Sequence, residues 1–171
     1  MIIAETERLR LRTITLDEAD VAFHLALLND PAFIEHIGDR GVRTMEESRH
    51  YITDGPVAMH ERHGHSMYMV ELKDSGTRIG MCGLIKRDFL EDVDIGYAFM
   101  PEYRGRGYAL EAARATVEHA RALGIRRLAG ITSPTNTASI ELLQKLGLRF
   151  QRVMYKSPED TGTNLYLAEL A

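Results

Sequence analysis

The stretch of the chain best suited to chemistry lies between residues 101 and 111, where glycines and arginines alternate. Its centre reads Arg104, Gly105, Arg106, Gly107, Tyr108 and Ala109. Glycine lets a backbone approach a ligand closely because it carries no Cβ atom. The free N–H groups at the start of a helix bind anions, and arginine side chains add positive charge. The pattern therefore predicts a cradle for phosphate or pyrophosphate in the turn between a strand and a helix.

The spacing within this loop separates it from two familiar phosphate-binding motifs. The third glycine of GxGxxG is missing, and no Gly-Lys-Ser/Thr follows, so neither the dinucleotide fingerprint nor the P-loop is present. A generic nucleotide-binding protein is therefore a distant hypothesis. For an isolated Gly-x-Gly, a tight strand-to-helix turn with solvated arginines is the structural alternative.

Hydrophobic periodicity predicts the elements that must position the loop. Strands are expected near residues 8–14, 66–73, 77–87, 93–100, 128–132, 149–155 and 163–170. Helices are expected near residues 17–29, 44–60 and 136–146, and between the loop and Gly124. This order predicts an α+β fold, a mostly antiparallel mixed sheet of about six to seven strands with about four helices on its faces. No linker or repeat divides the chain, so residues 1–171 are expected to form one domain.

Helix ends and helix faces have local signals. Thr44 and Glu47 form a capping box, and the run Asn29-Asp30-Pro31 is expected to end the first helix. The apolar face of that first helix is expected to hold Ala19, Phe23, Ala26 and Leu27. The helix after the loop is expected to bury one stripe at helical spacing, made of Ala109, Ala112, Ala113, Thr116, Val117 and Ala120.

Composition and charge exclude several classes of partner. The chain has 171 residues, a net charge of −4 and a pI of about 6.0, which argues against a general nucleic-acid binder. Arg8, Arg10 and Arg12 alternate along one strand, and a solvated strand face is the expected explanation. The chain shows no basic leader and no apolar run of roughly 18 residues, so a cytoplasmic protein without a membrane partner is expected.

Two further groups of reactive side chains are expected to be structural. Cys82, the single cysteine, lies in an apolar strand, where a buried inert thiol is favoured over a catalytic nucleophile. His60, His63 and His65 lie at a helix end without cysteine or a set of carboxylates, so no metal site is expected there.

Beyond its glycines, the loop matches Arg-x-x-Gly-x-Ala, which resembles the pyrophosphate-binding signature of the GNAT N-acetyltransferases. Three other segments resemble the RimJ/RimL type of that family. They are Glu5 to Arg12, the run Asp94-Ile95-Gly96-Tyr97 with Pro101 and Tyr103, and the helix from Asn136 through Ser139 to Gly147. Each segment is modest alone, whereas their order and spacing together are specific and cover most of the chain.

The resemblance implies an acetyl-CoA-dependent N-acetyltransferase that needs no metal. It implies a primary amine as acceptor, on a protein or peptide N-terminus or on a small molecule, and it allows a homodimer. Coenzyme A would be held by Phe99, Met100, Arg104, Gly105, Arg106, Gly107, Tyr108, Ala109 and Asn136. The thioester would lie where the strands near 94–100 and 128–133 splay, with a free N–H of Phe99 or Met100 polarising its carbonyl.

The general base is expected among the carboxylates of the strand before the loop. Asp92 and Asp94 are two residues apart and therefore face the same side of a strand, where a solvent-facing pair is the structural alternative. Asp94 lies where many GNAT enzymes have a glutamate, so the resemblance makes it the first candidate to take a proton from the amine. Asp92, Glu71 or a chain of water molecules are the alternatives.

The group that protonates the departing thiolate differs from the common pattern. Many GNAT enzymes have a tyrosine where this chain has Leu143, which cannot donate a proton. RimL-like members use a serine that matches Ser139, although Ser139 and Asn136 are also suited to the start of a helix. The alternative hydroxyls are those of Tyr97, Tyr103, Tyr108 and Tyr155. Because of Leu143 and the short Asp94, a catalytically silent acyl-CoA-binding or interaction module is the rival function.

Overall fold

One eight-stranded sheet forms the centre of the protein in a computed structural model, which describes residues 1–170. The strands are β1 (Ile2–Glu5), β2 (Leu9–Thr13), β3 (Met67–Leu72), β4 (Arg78–Ile85), β5 (Val93–Phe99), β6 (Arg127–Thr132), β7 (Arg149–Met154) and β8 (Thr163–Glu169). Their order across the sheet is β1-β2-β3-β4-β5-β6-β8-β7. β5 and β6 run parallel, and the other neighbouring pairs are antiparallel.

Helices cover both faces of this sheet. They are α1 (Glu18–Leu28), α2 (Pro31–His36), α3 (Met45–Ile52), α4 (Ala58–His63), α5 (Tyr108–Ala122) and α6 (Thr137–Lys145). α5 and α6 pack against one face, in a core that includes Val70 and Leu84. α1, α2 and α3 pack against the other face, in a second core that includes Met69 and Met81. The predicted α+β class and the mostly antiparallel mixed sheet are confirmed, with one strand more than the upper estimate.

Two short elements are missing from the sequence prediction. β1 is an edge strand of four residues, too short to show a period in the sequence. α2 begins at the residues that were expected only to end α1. Asp30 accepts a hydrogen bond from the Phe33 N–H at 3.2 Å, and Pro31 occupies the first turn, where its missing N–H costs nothing.

The helix predicted near residues 44–60 exists but changes its winding. Thr44 caps α3 by accepting from the Glu47 N–H at 3.1 Å, as the capping box predicts. The chain then passes through a π-helical turn, Thr53–Val57, into α4. Pro56 lies inside that turn, and a wider turn accommodates a residue that has no N–H to donate.

The buried face of α1 differs from the predicted one. Ala19 and Ala26 are exposed, whereas Asp20 and His24 are buried. Asp20 turns inward because Arg12 donates two hydrogen bonds to its carboxylate, at 2.8 and 2.9 Å. A pattern of apolar residues cannot detect a buried ion pair of this kind. The predicted buried face of α1 is therefore rotated by about one residue from the observed buried face. The predicted face of α5 is correct: its buried residues are Ala112, Ala113, Thr116, Val117 and Ala120.

The alternating Arg8, Arg10 and Arg12, at and just before β2, are paired with carboxylates, so the expectation of a merely solvated strand face is wrong. Arg10 and Arg12 each lie 3.1 Å from a different oxygen of Glu71 in β3. Arg8 lies 2.7 Å from Glu111 in α5. Carboxylates from β1, α1, β3 and α5 converge on these arginines, which residue spacing within one segment cannot show.

β5 and β6 separate along their length, and this opens a cleft. They pair only at Val93 with Leu128 and at Asp94 with Ala129. Beyond these pairs, β5 continues to Phe99 beside β4, and β6 continues beside β8. The facing edges beyond Asp94 are therefore not joined by backbone hydrogen bonds. The sequence placed the splay between these same two strands.

Candidate active site

The inner edge of β5 carries backbone donors that face the cleft. Met100 donates its N–H to the Ile79 carbonyl at 3.0 Å, so alternate residues of β5 donate toward β4. The intervening residues Tyr97 and Phe99 direct their N–H groups into the cleft, past the last pairing with β6 at Asp94. Met100 is therefore not the free donor that was expected, because the ladder already uses its N–H.

The positions of these two donors along β5 suit different tasks. Asp94 and Phe99 are separated by five residue steps, about 17 Å in an extended strand. A base and an oxyanion donor act on one small reacting group, so Phe99 is too far away to act together with Asp94. Tyr97 is about 10 Å from Asp94 along the strand. The Asp94 side chain, an acceptor amine and a thioester carbonyl placed in a row can span that distance to the Tyr97 N–H.

α5 begins with backbone donors that the helix itself does not use. Gly107 precedes the helix with a φ of 82°, in the left-handed region that favours glycine, and no side chain caps the turn. The Glu111 N–H makes a helical bond to the Gly107 carbonyl at 3.1 Å. The four preceding N–H groups, of residues 107–110, lack a helical acceptor, and the dipole of this 15-residue helix favours an anion there. These features fit the predicted pyrophosphate cradle.

The two arginines of the loop have different surroundings. Arg104 donates from Nε and Nη2 to the Phe99 carbonyl, at 3.1 and 2.7 Å, and its Nη2 lies 2.8 Å from Asp30. Its guanidinium therefore holds β5 against the start of α2, which differs from the expected role as a free cation. The exposed Arg106 side chain makes no ion pair or hydrogen bond within residues 1–170, so it is available to a phosphate.

Asp94 lies at the closed end of the cleft and is 1% exposed. Its Oδ1 accepts a hydrogen bond from Arg87 Nε at 3.0 Å, whereas its buried Oδ2 has no partner within the described residues. Burial raises the pKa of Asp94 to about 6, although the charge and hydrogen bond of Arg87 oppose this rise. A carboxylate with a pKa close to neutrality and one uncommitted oxygen has the properties of a general base.

The other two candidate carboxylates are engaged by arginines. Asp92 lies 3.2 Å from Arg127 Nη2 at the start of β6. Glu71 binds Arg10 and Arg12 near the opposite edge of the sheet. Neither carboxylate combines burial with an unpartnered oxygen, so the geometry favours Asp94 among the three.

A pair of hydroxyl groups lies on the other face of β5. Tyr97 Oη is 2.7 Å from Ser139 Oγ and 3.3 Å from the Ser139 carbonyl oxygen, in the first turn of α6. Side chains alternate along a strand, so Tyr97 and Asp94 project from opposite faces of β5. Burial raises the pKa of Tyr97, although its hydrogen bond with Ser139 opposes the rise, so the phenol keeps its proton. The sequence named both residues but did not predict their contact.

The remaining candidates for thiolate protonation have packing or surface positions. Leu143 is 1% exposed and fills the space that Gly130 leaves open, so it belongs to the core. The rings of Tyr103 and Tyr108 pack 6.4 Å apart beside the loop. Tyr155 is 65% exposed and directly follows β7, an edge strand of the sheet.

Asn136 caps α6, because its Oδ1 accepts from the Ser139 N–H at 3.3 Å. This is one of the two roles that the sequence suggested for it. Its Nδ2 makes no hydrogen bond within the described residues, so the amide can still donate to a ligand in the cleft. Cap and ligand contact are therefore compatible uses of the same side chain.

The other reactive groups have structural positions. Cys82 is fully buried with its Sγ 3.2 Å from Thr116 Oγ1, and burial raises the pKa of the thiol to about 12, so the thiol is inert as expected. Within residues 1–170, no group of three or more histidine, cysteine or acidic side chains is placed to hold a metal ion. No helix in that range is both long and apolar enough to cross a membrane.

The chain is similar to two proteins of Bacillus subtilis along most of its length. It is 29% identical over 157 residues to the uncharacterized protein YkkB, and the aligned region covers 88% of this chain and 87% of YkkB. It is 28% identical over 172 residues to the uncharacterized N-acetyltransferase YoaA, and the aligned region covers 96% of this chain and 94% of YoaA.

Solved structures of acetyltransferases share the fold. The acetyltransferase from Agrobacterium tumefaciens has a TM-score of 0.79 and 24% identity, over 96% of this chain and 92% of that one. RimL, a ribosomal L7/L12 α-N-protein acetyltransferase in complex with coenzyme A, has a TM-score of 0.83 and 21% identity, over 99% and 98%. The microcin C7 self-immunity acetyltransferase MccE, in complex with acetyl-CoA and AMP, has a TM-score of 0.79 and 16% identity, over 96% and 93%.

Residues 8–149 match the family model of the acetyltransferase (GNAT) domain, which spans most of the chain. The matched range contains the splayed strands, the glycine-rich loop, α5 and α6. The resemblance inferred from the loop and its flanking segments is therefore confirmed, and the chain belongs to the GNAT acetyltransferase family.

Proposed function

We propose that this protein moves an acetyl group from acetyl-CoA to a primary amine, directly and without a covalent enzyme intermediate. The observation that carries the proposal is the separation of β5 and β6 beyond Asp94. It leaves the inner edge of β5, with the N–H groups of Tyr97 and Phe99, unpaired between the buried Asp94 and the chain that leads to the uncapped start of α5. We further propose that residues 1–171 act as a single domain.

The cleft fits coenzyme A in one direction. The pyrophosphate would accept hydrogen bonds from the N–H groups of residues 107–110, with Arg106 adding charge. The pantetheine arm would follow β5, where the Phe99 N–H is placed for one of its amide oxygens. The thioester would then lie near Tyr97 and Asp94. The complexes of RimL with coenzyme A and of MccE with acetyl-CoA support this use of the shared fold.

The chemistry assigns one task to each face of β5. A primary amine is mostly protonated at neutral pH, so it must lose a proton before it attacks the thioester carbon. Asp94 takes that proton, directly or through one water molecule. As the N–C bond forms, the carbonyl oxygen gains negative charge, which the Tyr97 N–H stabilises. The C–S bond then breaks, and the thiolate leaves toward the face that carries Ser139.

Ser139 would donate a proton to the thiolate, and solvent would then reprotonate Ser139. The serine hydroxyl is a weak acid on its own, so its position matters more than its pKa. Tyr97 provides that position, because its hydroxyl lies 2.7 Å from Ser139 Oγ. The nitrogen gives up its second proton to solvent as the tetrahedral intermediate collapses, so the products are an acetylated amine and coenzyme A with a free thiol.

We infer that the acceptor is the α-amino group of a peptide or protein. Arg87, which binds Asp94, leads to an exposed aromatic side chain. Phe89 is 54% exposed, and Arg87 Cζ and Lys156 Nζ lie 5.9 and 5.5 Å from its ring centre. An exposed aromatic side chain flanked by cations suits an extended peptide better than a small, highly charged amine. RimL acts on a protein α-amino group, which supports the same class here.

Release of free coenzyme A thiol from acetyl-CoA tests the proposal. The acceptor panel contains peptides with free N-termini, the same peptides with blocked N-termini and a free lysine, polyamines and amino acids. Mass spectrometry then locates the acetyl group. We expect release with free N-termini and none with blocked ones. Binding of acetyl-CoA without release for any acceptor would favour the silent acyl-CoA-binding module instead.

A further inference from the structure

The segment that precedes β2 contacts the glycine-rich loop through Arg8. Arg8 Nη1 donates to the Arg106 carbonyl at 3.0 Å. The Arg8 guanidinium also lies over the Tyr108 ring, 4.3 Å from its centre. These two contacts lie on either side of Gly107, whose added Cβ would come within 3.3 Å of Arg8 Nη2. One side chain therefore holds both ends of the turn that starts α5.

Glu111 fixes the direction of that arginine. Arg8 Nε lies 2.7 Å from Glu111 Oε1, and the Arg8 N–H donates to Glu111 Oε2 at 2.9 Å. Thr6 Oγ1 donates to the same Oε2 at 2.5 Å. A planar guanidinium has donors on a rigid fork, so it can bind this carboxylate and the Arg106 carbonyl simultaneously. Lysine has a single charged nitrogen and cannot reproduce this arrangement.

The pairing also removes an unfavourable charge from the anion site. Glu111 lies in the first turn of α5, where its negative charge would oppose a bound pyrophosphate. Burial acts to raise the pKa of Glu111, but hydrogen bonds from Thr6 and Arg8 outweigh it and lower this pKa. Glu111 is therefore charged near neutral pH, and Arg8 supplies the compensating positive charge.

We propose that Arg8 is a positioning residue for coenzyme A binding. Arg8 holds the Arg106–Tyr108 turn in the conformation that directs the N–H groups of residues 107–110 toward the pyrophosphate. The proposal deepens the proposed function and rests on it in one respect, since coenzyme A is taken as the ligand. Arg8 acts through the loop backbone. Its contribution is therefore to affinity for the nucleotide part of the ligand and not to the acetyl-transfer step.

Binding of coenzyme A to Arg8→Ala, measured by calorimetry, tests the proposal. We expect a loss of about tenfold, toward the lower end of the about 5- to 150-fold by which two coupled sites change each other's affinity. Arg10→Ala is the matched control, because Arg10 lies on the same strand and binds Glu5 and Glu71, away from the loop. We expect it to bind coenzyme A like the parent protein.

Two comparisons separate positioning from general destabilisation and from charge alone. Pantetheine lacks the pyrophosphate, so its dissociation constant, followed by NMR titration, should be the same for Arg8→Ala and the parent. The double variant Arg8→Ala/Glu111→Gln removes the uncompensated charge but does not rebuild the clamp. We expect it to remain weaker than the parent. If Arg8→Ala does not fold, Arg8→Lys replaces it, with the same expected loss for coenzyme A.

Three results would overturn the proposal. They are parental affinity of Arg8→Ala for coenzyme A, equal losses for coenzyme A and pantetheine, and full recovery of affinity in the double variant. The last would show that Arg8 acts only by neutralising Glu111. None of these measurements needs turnover. Failure of the proposed function would instead appear as a parent protein that binds coenzyme A but acetylates no amine, or that does not bind it at all.

Discussion

The hydroxyl of Tyr97 lies 2.7 Å from the hydroxyl of Ser139, and this contact joins β5 to the first turn of α6 across the cleft. The two residues are 42 positions apart in the chain. Because burial raises the pKa of Tyr97, the phenol keeps its proton near neutral pH, and either hydroxyl can donate to the other. In the direction in which the phenol donates to Ser139 Oγ, it occupies a lone pair of that oxygen and leaves the serine proton for the thiolate.

A double-mutant cycle on this pair tests the proposed proton donor. We expect Ser139→Ala to lower kcat by about 10²-fold, the lower end of the about 10²–10⁴-fold range usual for a general acid, with a small change in the Kd for coenzyme A. We expect Tyr97→Phe to lower kcat less. In the Ser139→Ala background, Tyr97→Phe should have no further effect on kcat, because residues that act through one another are not additive.

The same cycle distinguishes catalysis from stability. Ser139 also lies in the first turn of α6, so its removal can lower Tm without affecting the reaction. If Ser139→Ala keeps the parental kcat below its melting temperature, Ser139 serves only to support the helix. Additive losses in kcat would show that Tyr97 does not act through Ser139.

The cradle at the start of α5 is tested by Gly107→Glu. The left-handed φ of 82° and the proximity of Arg8 strain any side chain, and a carboxylate here would repel the pyrophosphate. We expect calorimetry to detect no binding of coenzyme A, with little change in the circular dichroism spectrum. Gly76→Glu is the control, because Gly76 has a similar φ of 72° in the turn between β3 and β4. Parental affinity in Gly107→Glu would place the pyrophosphate elsewhere.

The role of Asp94 is tested by Asp94→Asn. We expect kcat/KM to fall by about 10²–10⁴-fold at neutral pH, with the Kd for coenzyme A unchanged. The parent rate should fall as the pH drops through about 6, where the raised pKa of Asp94 protonates the base. The variant should lack this limb, and its deficit should shrink at high pH, where more of the amine is already deprotonated.

Stability provides an independent measurement on Asp94. Its folded pKa lies above the ordinary value of 3.8, so the folded state binds the proton more tightly. This carboxyl therefore stabilises the fold when protonated, and that contribution is lost as the pH rises from about 4 to about 6. We expect Asp94→Asn to melt no lower than the parent at pH 7. Asp92→Asn is the control for activity, and a larger loss in that variant would transfer the role of base to Asp92.

Acid stability should depend on His24. This side chain is fully buried in α1, its two ring nitrogens have no partner within the described residues, and burial lowers its pKa to about 4, with the charge of Asp20 opposing. The unfolded chain binds the proton near pH 6.5, so stability is lost as the pH falls from about 6.5 to about 4. The shift corresponds to a loss on the order of 3 kcal/mol in the free energy of unfolding.

His24→Phe should remove most of this acid-dependent loss. A phenyl ring keeps the packing against Tyr51, whose ring centre lies 5.5 Å away, and it has no proton to bind. Urea unfolding at pH 7 and at pH 4.5 measures the difference for the parent and the variant. His50→Gln, on the exposed side of α3, is the control. Equal pH dependence in the parent and His24→Phe would mean that other groups cause the acid sensitivity.

The amino-acid sequence by itself determined the family, the fold class and the position of the glycine-rich loop before α5. The glycines at 105 and 107 are local requirements of a turn with positive φ, so they can be read without a partner. The capping box at Thr44 and the apolar stripe of α5 likewise depend on neighbours within one or two helical turns. The splay was inferred from a resemblance, since no local pattern of residues encodes a missing strand pair.

The tertiary structure alone decided which of the candidate groups are free to act. Arg104 and Met100 were candidates by spacing, but contacts with Asp30 and Ile79 occupy the guanidinium and the N–H. Arg8 was read as a surface residue, although it holds the turn around Gly107. The physical reason is the same in each case. Charge pairing and hydrogen bonding join residues far apart in the chain. Whether a buried donor or carboxylate is free to react depends on the partners that the fold brings to it.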